Sequence, residues 1–245
     1  NHIDALLVIG GYSAYEGIHT MTTERDRYPA FRIPTVCIPA SIDNNLPGSE
    51  LSIGADTALN VIVEAMDKIK ESGIASRRCF VVETMGRDCG YLALMSGIAA
   101  GAERIYTNED GISLDDLAND VHWLRESFAH GRRLFLAVRN ENASRNYTTD
   151  FIARLLEEES HGMYDVRQVV LGHMQQGGSP SPFDRLLANR LAYRALNLID
   201  DELAAHQDGP WFIGVNESDM RPSKMETMPS LVDSAHRRPR EQWWL

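Results

Sequence analysis

This sequence predicts an α/β fold whose mostly parallel sheet is covered on both faces, and three observations carry the prediction. Short apolar runs rich in Val, Ile, Leu and Phe recur along the chain. Stretches with helical spacing separate them, as strand–helix alternation in a parallel sheet requires. Polar motifs follow the runs, at the strand ends where open α/β sheets bind ligands.

Taken in order, residues 5–10 read as the first strand and 35–39 as the second. A helix is expected over 54–70, with Glu64 and Lys68 paired one turn apart. Residues 79–83 form the third strand. Leu114, Leu117, Val121, Leu124 and Phe128 then keep a helical 3-4-3-4 spacing behind a capping-box-like Ser113 and Asp116. Strands at 133–138 and 166–171 flank a helix over 147–159, and a last helix over 182–203 has Pro182 in its first turn. The remaining tail, from "VNESDM" to "EQWWL", reads as irregular, docked by its two tryptophans.

With 245 residues, 43% of them hydrophobic, the chain can bury a core as one large domain or two lobes. A formal charge of −11 without a Lys/Arg cluster argues against a nucleic-acid partner. Small anions remain possible ligands, because a few placed arginines outweigh net charge at close range. Cys37, Cys79 and Cys89 lack metal-ligand spacing and read as reduced core thiols of a cytoplasmic protein. No apolar run reaches the ~18 residues of a membrane span, and no signal peptide is visible. The chain enters its first strand at once and without Met, so a segment of a longer polypeptide is expected.

Five loops carry the candidate chemistry. "GGYSAYEG" starts at Gly10 and Gly11, which let backbone approach a ligand, yet it offers Tyr12 and Ser13 where a metal-bound nucleotide needs a carboxylate. Glu16 is the nearby acid. In "SIDNNLPGS", Asp43 reads either as a general base or as part of an Asx-type turn, with Asn44 and Asn45 able to bond hydroxyls. Arg77 and Arg78 precede the third strand and Met85, Gly86 and Arg87 follow it, beside a helix start suited to an anion. Arg78 stands at the wrong end of its strand for the local crevice, so a phosphate role would serve a neighbouring subunit. "RNE" (139–141) and "GHMQQGG", with His173, Gln175 and Gln176, complete the set together with Arg167 and Arg185.

In this order the motifs resemble the ATP-dependent 6-phosphofructokinase family, and in particular the C-terminal half of its internally duplicated eukaryotic-type members. The likeness runs from "LLVIGGYSAYEG" through "IPASIDNNLPGSELSIGADTALN", "RRCFVVETMGRDCGYLA" and "VLGHMQQGGSPSPFDR" to "HRRPREQWWL". It implies a three-layer phosphofructokinase-like α/β fold with mostly parallel sheets in two lobes, its first strand and turn missing by truncation. Residues 1–55 plus 174–225 would form the nucleotide-side lobe and 56–173 plus 226–245 the sugar-phosphate lobe. For the whole enzyme it implies glycolytic phosphoryl transfer from Mg-ATP to fructose 6-phosphate in the cytoplasm.

For this half the resemblance implies something narrower. Active halves carry Gly-Gly-Asp-Gly-Ser where Gly10, Gly11, Tyr12 and Ser13 stand, so the magnesium anchor is absent and neither metal nor cofactor is expected here. Ser41, Asp43, Asn44, Asn45, Met85, Gly86, Arg87, Glu141, His173 and Gln176 match sugar-phosphate contacts. Arg78 and Arg167 match phosphate-binding arginines that cross to a neighbouring subunit, and Arg237 matches a contact to the second phosphate of an allosteric bisphosphate. Gln176 replaces the arginine usual in active halves. Asp43 matches their catalytic base, although regulatory halves usually have serine there. Ala40 stands where pyrophosphate-dependent relatives have lysine.

The expected ligand is therefore fructose 6-phosphate or fructose 2,6-bisphosphate, bound as an effector between subunits of a homo- or hetero-tetramer, with no nucleic acid and no membrane. One alternative keeps phosphoryl transfer here with Asp43 as base. Another is an oligomerisation module without a ligand. The segment alone is expected to be inactive.

Overall fold

The computed structural model describes residues 2–73, 75–217 and 219–245. It consists of two compact units, Asn1–Asp56 with Pro180–Leu245, and Thr57–Ser179. The tail therefore belongs with the first unit, whereas the sequence reading had put 226–245 in the other lobe.

Along the chain come β1 (Leu6–Gly10), α1 (Tyr12–Glu24), β2 (Thr35–Pro39), α2 (Ala55–Gly73) and β3 (Arg78–Thr84). Next are α3 (Tyr91–Ala100), β4 (Arg104–Tyr106), α4 (Leu114–Ala129), β5 (Leu134–Asn140), α5 (Thr149–Glu158) and β6 (Asp165–Val170). The chain closes with α6 (Pro182–Ala204), β7 (Pro210–Asn216), β8 (Asp219–Lys224), α7 (Met228–Leu231), β9 (Val232–Asp233) and β10 (Arg238–Pro239). All five expected strands and four expected helices are present, each within a few residues of its expected ends.

The first unit has the strand order β1-β2-β7-β8. β1, β2 and β7 run parallel, and β8 turns back antiparallel on β7. Because side chains alternate across a strand, Leu6, Val8, Cys37 and Phe212 face α1, packing on Tyr12, Tyr15 and Ile18. Leu7, Val36, Ile38, Ile213 and Val215 face the other way, onto Leu187, Leu191, Ala195 and Leu198 of α6. The result is three layers. β2, covered on both faces, is buried at every residue, which is why it reads as an uninterrupted apolar run. Loop residue Gly48 crosses β7 so closely that a Cβ on Gly214 would lie 1.6 Å from its carbonyl oxygen.

The second unit has the order β4-β5-β3-β6, all parallel. Cys79, Val81, Phe135, Ala137 and Val166 pack against Leu117, Leu124 and Phe128 of α4 and Ile152 and Leu156 of α5. On the opposite face α3 packs on β3, β4 and β5, and Lys70 of α2 donates to the Ala100 carbonyl at 2.7 Å. The Ser113–Asp116 capping box and the Glu64–Lys68 ion pair form as expected. Cys37, Cys79 and Cys89 are buried thiols outside any disulfide, and burial pushes the Cys37 thiol up to about 12, so it stays protonated and unreactive.

The tail corrects the sequence reading. It completes β7, adds β8, and folds the β9–β10 hairpin rather than remaining irregular. Of its tryptophans, Trp244 is buried and Trp243 is half exposed. Trp243 is nonetheless fastened, donating Nε1–H to the Glu50 carbonyl at 2.7 Å.

Candidate functional site

In the first unit the candidate residues collect at the carboxyl ends of β1 and β2. α1 begins directly at Tyr12, so "GGYSAYEG" is a strand-to-helix junction and not a long loop. Gly11 is its N-cap and supplies no side-chain hydrogen bond, leaving α1's first N–H groups without a capping side chain. Gly10 accepts from the Ala40 N–H at 3.0 Å, which holds this junction beside the Ser41–Asn45 loop.

That loop is braced from within. Asn44 is 1% exposed and has φ of 51°, a left-handed conformation uncommon for residues other than glycine. Its Nδ2 donates to the Glu50 carbonyl at 2.8 Å, while its Oδ1 accepts from Ser52 N–H at 2.8 Å and Ser52 Oγ at 3.1 Å. The amide expected to touch sugar hydroxyls is thus engaged in shaping the loop. Asp43, half-buried, donates its N–H to Ser41 Oγ at 3.3 Å. That bond braces Asp43 through its backbone, with the serine hydroxyl as acceptor. Ser41 Oγ donates to Asn45 Oδ1 at 3.0 Å, and Asn45 Nδ2 donates to the Arg237 carbonyl at 3.1 Å.

Arg237 also has a left-handed backbone, with φ of 52°. Its guanidinium lies over the Tyr12 ring, 4.9 Å from the centroid, and pairs with Glu16. Burial raises the Tyr12 hydroxyl pKa, Glu16 raises it further, and Arg237 opposes them. This junction does not fit a magnesium-bound nucleotide. A phenol stands where a carboxylate ligand would be needed, and Glu16, the acid one turn on, is turned to an arginine.

In the second unit the turn after β3 is held from four sides. Met85 N–H donates to Gln175 Oε1 at 3.1 Å, Arg87 N–H to Glu141 Oε1 at 2.8 Å, and Gly90 N–H to both Glu109 oxygens at 2.9 Å. Asn140 Nδ2 lies 3.4 Å from the carbonyls of Met85 and Cys89. Gly86 takes φ of 128°, and a Cβ there would sit 2.4 Å from the Cys89 carbonyl oxygen. Arg87, with φ of 51°, is exposed. His173 and Gln176, also exposed, lie on the 3-10 turn Gly172–Gln176, where Gln176 Nε2 is 3.8 Å from Met85 Sδ. Met85, Gly86, Arg87, Glu141, His173 and Gln176 therefore share one strand-end cluster.

Arg78 and Arg167 stand apart from it. Arg78 begins β3, six residues before its end, so about 20 Å separates it from the turn. Its Nη1 donates to the Ser72 carbonyl at 3.3 Å. Arg167 is exposed on the edge strand β6, its Nη1 donating to the Val166 carbonyl at 2.7 Å. Arg139, read with "RNE" as a loop residue, is instead inside β5 and 1% exposed. It donates to Glu83 at 2.9 Å and to the carbonyls of Ser144, Glu141 and Tyr147 at 2.6, 3.0 and 3.2 Å, so it supports the site from beneath.

Sequence reasoning passed over Glu109, which follows the unrecognised short strand β4, and the part Ser52 and Glu50 play in shaping the Asp43 loop. In the second unit Asn140 and Gln175, which hold the Met85 turn, lie in motifs the sequence does single out.

The phosphofructokinase family model matches residues 1–199, and the chain belongs to the phosphofructokinase family. It is 44% identical over its whole length to the platelet-type ATP-dependent 6-phosphofructokinase of Rattus norvegicus, spanning 32% of that protein. It is 42% identical to ATP-dependent 6-phosphofructokinase 1 of Aspergillus oryzae, spanning 33% of it. The chain thus spans about a third of the length of these relatives. Phosphofructokinase from Saccharomyces cerevisiae superposes with a TM-score of 0.95 at 36% identity, over 99% of this chain and 34% of that one. A pyrophosphate-dependent phosphofructokinase from Marinobacter aquaeolei, 17% identical with a TM-score of 0.70 over 92% of this chain and 60% of that one, shares the fold.

Proposed function

We propose that this chain is part of an ATP-dependent 6-phosphofructokinase, and that this part binds fructose 6-phosphate or fructose 2,6-bisphosphate as an allosteric effector rather than phosphorylating it. The observation that carries this reading is the Arg237 guanidinium stationed over Tyr12 at the head of α1, next to the Ser41–Asn45 loop. Where phosphoryl transfer needs a carboxylate and a metal, this half offers an arginine, an uncapped helix start and hydroxyl and amide side chains. Those groups suit an anionic sugar.

In this scheme Met85–Arg87, Glu141, His173 and Gln176 are the sugar-phosphate contacts of the second unit, and Arg237 is the phosphate contact of the first. Arg78 and Arg167, remote from their own strand-end cluster, reach the ligand of a neighbouring subunit. Mg-ATP binds elsewhere in the whole enzyme, and the assembly is a homo- or hetero-tetramer in the cytoplasm. The braced Asp43 loop favours a second reading, in which Asp43 deprotonates a sugar hydroxyl and this half retains chemistry. Titration of fructose 2,6-bisphosphate into the intact protein tests the first reading. Saturable binding, weakened tenfold or more by Arg237→Ala, is expected; binding that ignores this substitution would refute it.

A further inference from the structure

Tyr12 and Glu16 are one helical turn apart, so their side chains share a face of α1. Arg237 reaches that face from the tail, its backbone fixed by the Asn45 hydrogen bond to its carbonyl. The guanidinium makes three contacts: the Tyr12 ring at 4.9 Å, Ser13 Oγ at 3.4 Å, and the Glu16 carboxylate. The two principal partners differ in character. Tyr12 is 7% exposed and anchored in the core around α1, whereas the Glu16 and Arg237 side chains are 48% and 43% exposed. Asp233, the other acid near Tyr12, is turned to His236 Nδ1 at 2.7 Å. A buried ring is a fixed platform. An exposed carboxylate is a partner that water and ions contest.

We infer that Tyr12 and Glu16 set the affinity of this site for a phosphate ester by acting on Arg237 in opposite senses. Tyr12 holds the guanidinium in place through its ring face. Glu16 occupies the guanidinium in the unliganded protein and must give it up when a phosphate arrives. A phosphate is the better competitor, carrying more charge and matching the planar fork with two oxygens. The carboxylate nevertheless lowers affinity, both by pairing with Arg237 and by repelling the incoming anion. Tyrosine at position 12 thereby gives the former nucleotide junction an anion-gating task. This inference rests on the proposal that this half binds a fructose phosphate.

Isothermal titration of the intact protein with fructose 2,6-bisphosphate tests it, with circular dichroism and a urea midpoint recorded for each variant. Glu16→Gln is expected to tighten binding about two- to fivefold, the range for relieving an exposed ion pair. Tyr12→Leu is expected to weaken it about threefold or more. Tyr12→Phe, which keeps the ring and serves if the leucine variant folds poorly, is expected to bind like wild type. Weaker binding by Glu16→Gln would overturn the gating role, and equal affinities for Tyr12→Leu and wild type would overturn the platform. If wild type itself does not bind the bisphosphate, the proposed effector function falls, and the gate with it.

Discussion

Replacing Arg139 with Met tests whether the strand-end cluster of the second unit rests on one buried cation. Methionine fills similar length but cannot donate. Glu83, whose side chain is 21% exposed, would lose its ionic partner, and the carbonyls of Glu141, Ser144 and Tyr147 would lose their donors. Removing one member of a buried ion pair costs about 3–5 kcal/mol. A carbonyl left dry adds about 1–3 kcal/mol, but the 141–147 loop is partly exposed and can turn some of its carbonyls to water. We therefore expect a loss of about 4 kcal/mol, a large share of the ~5–15 kcal/mol that stabilises a domain. At a urea slope of about 2 kcal/mol/M the unfolding midpoint should fall by about 2 M. Because Arg139 also anchors the segment bearing Glu141, the Arg87 turn should loosen and sugar-phosphate affinity fall with it. Adding Glu83→Gln to the variant should recover about 1 kcal/mol or more, since the stranded charge is then gone. A loss below about 1 kcal/mol, or no recovery in the double variant, would mean that the cluster does not rest on Arg139.

Two further substitutions separate backbone from side-chain effects. Asn44→Ala should destabilise by about 2–4 kcal/mol, combining three lost hydrogen bonds, two of them buried, with the cost of alanine at φ of 51°. Asn44→Gly should lose about 1 kcal/mol less, and equal losses in urea titrations would mean that the backbone is not strained. Ser113→Ala should cost about 1 kcal/mol by removing the α4 cap. Hydrogen bonds from Ser113 hold the Asp116 carboxyl below its ordinary 3.8. That part of the stability is complete above about pH 4 and is lost as pH falls through the lowered value. The gap between wild type and variant should thus be constant from about pH 7 to 5 and narrow below 3.8.

How much of this was legible depended on whether one face of an element meets water. β2, β3 and β5 were read from apolar runs because helices cover both their faces. α4 was read from its spacing and cap because its outer face is polar. By contrast α3, "YLALMSGIAA", has Leu92, Ala93, Ser96 and Gly97 all buried and no sustained polar face, so its period was invisible. β8, "DMRPSK", is a polar edge strand carrying Pro222, a composition that reads as loop.

The site followed the same logic. Residues of contiguous motifs were named from sequence, and the structure groups them at strand ends in each unit. What sequence could not convey was engagement. Asn44 looks like a ligand contact but is committed to Glu50 and Ser52, while Arg139 looks like a loop residue but is buried in β5. Nor could it reveal that Arg237 and Glu16, 221 positions apart, would pair. Such pairing depends on the tail returning to α1, and the tail had been assigned to the other lobe.

The role proposed for this half is regulation without catalysis. Comparing wild type with Asp43→Ser in the intact protein tests it most directly, following fructose 6-phosphate turnover with and without fructose 2,6-bisphosphate. If the claim holds, kcat changes by less than about tenfold, and activation tightens because a carboxylate near the bound phosphate has gone, an effect on the order of 1 kcal/mol. If kcat instead falls by about 10²–10⁴, the loss of a general base, with activation unaltered, Asp43 is catalytic and the claim is wrong.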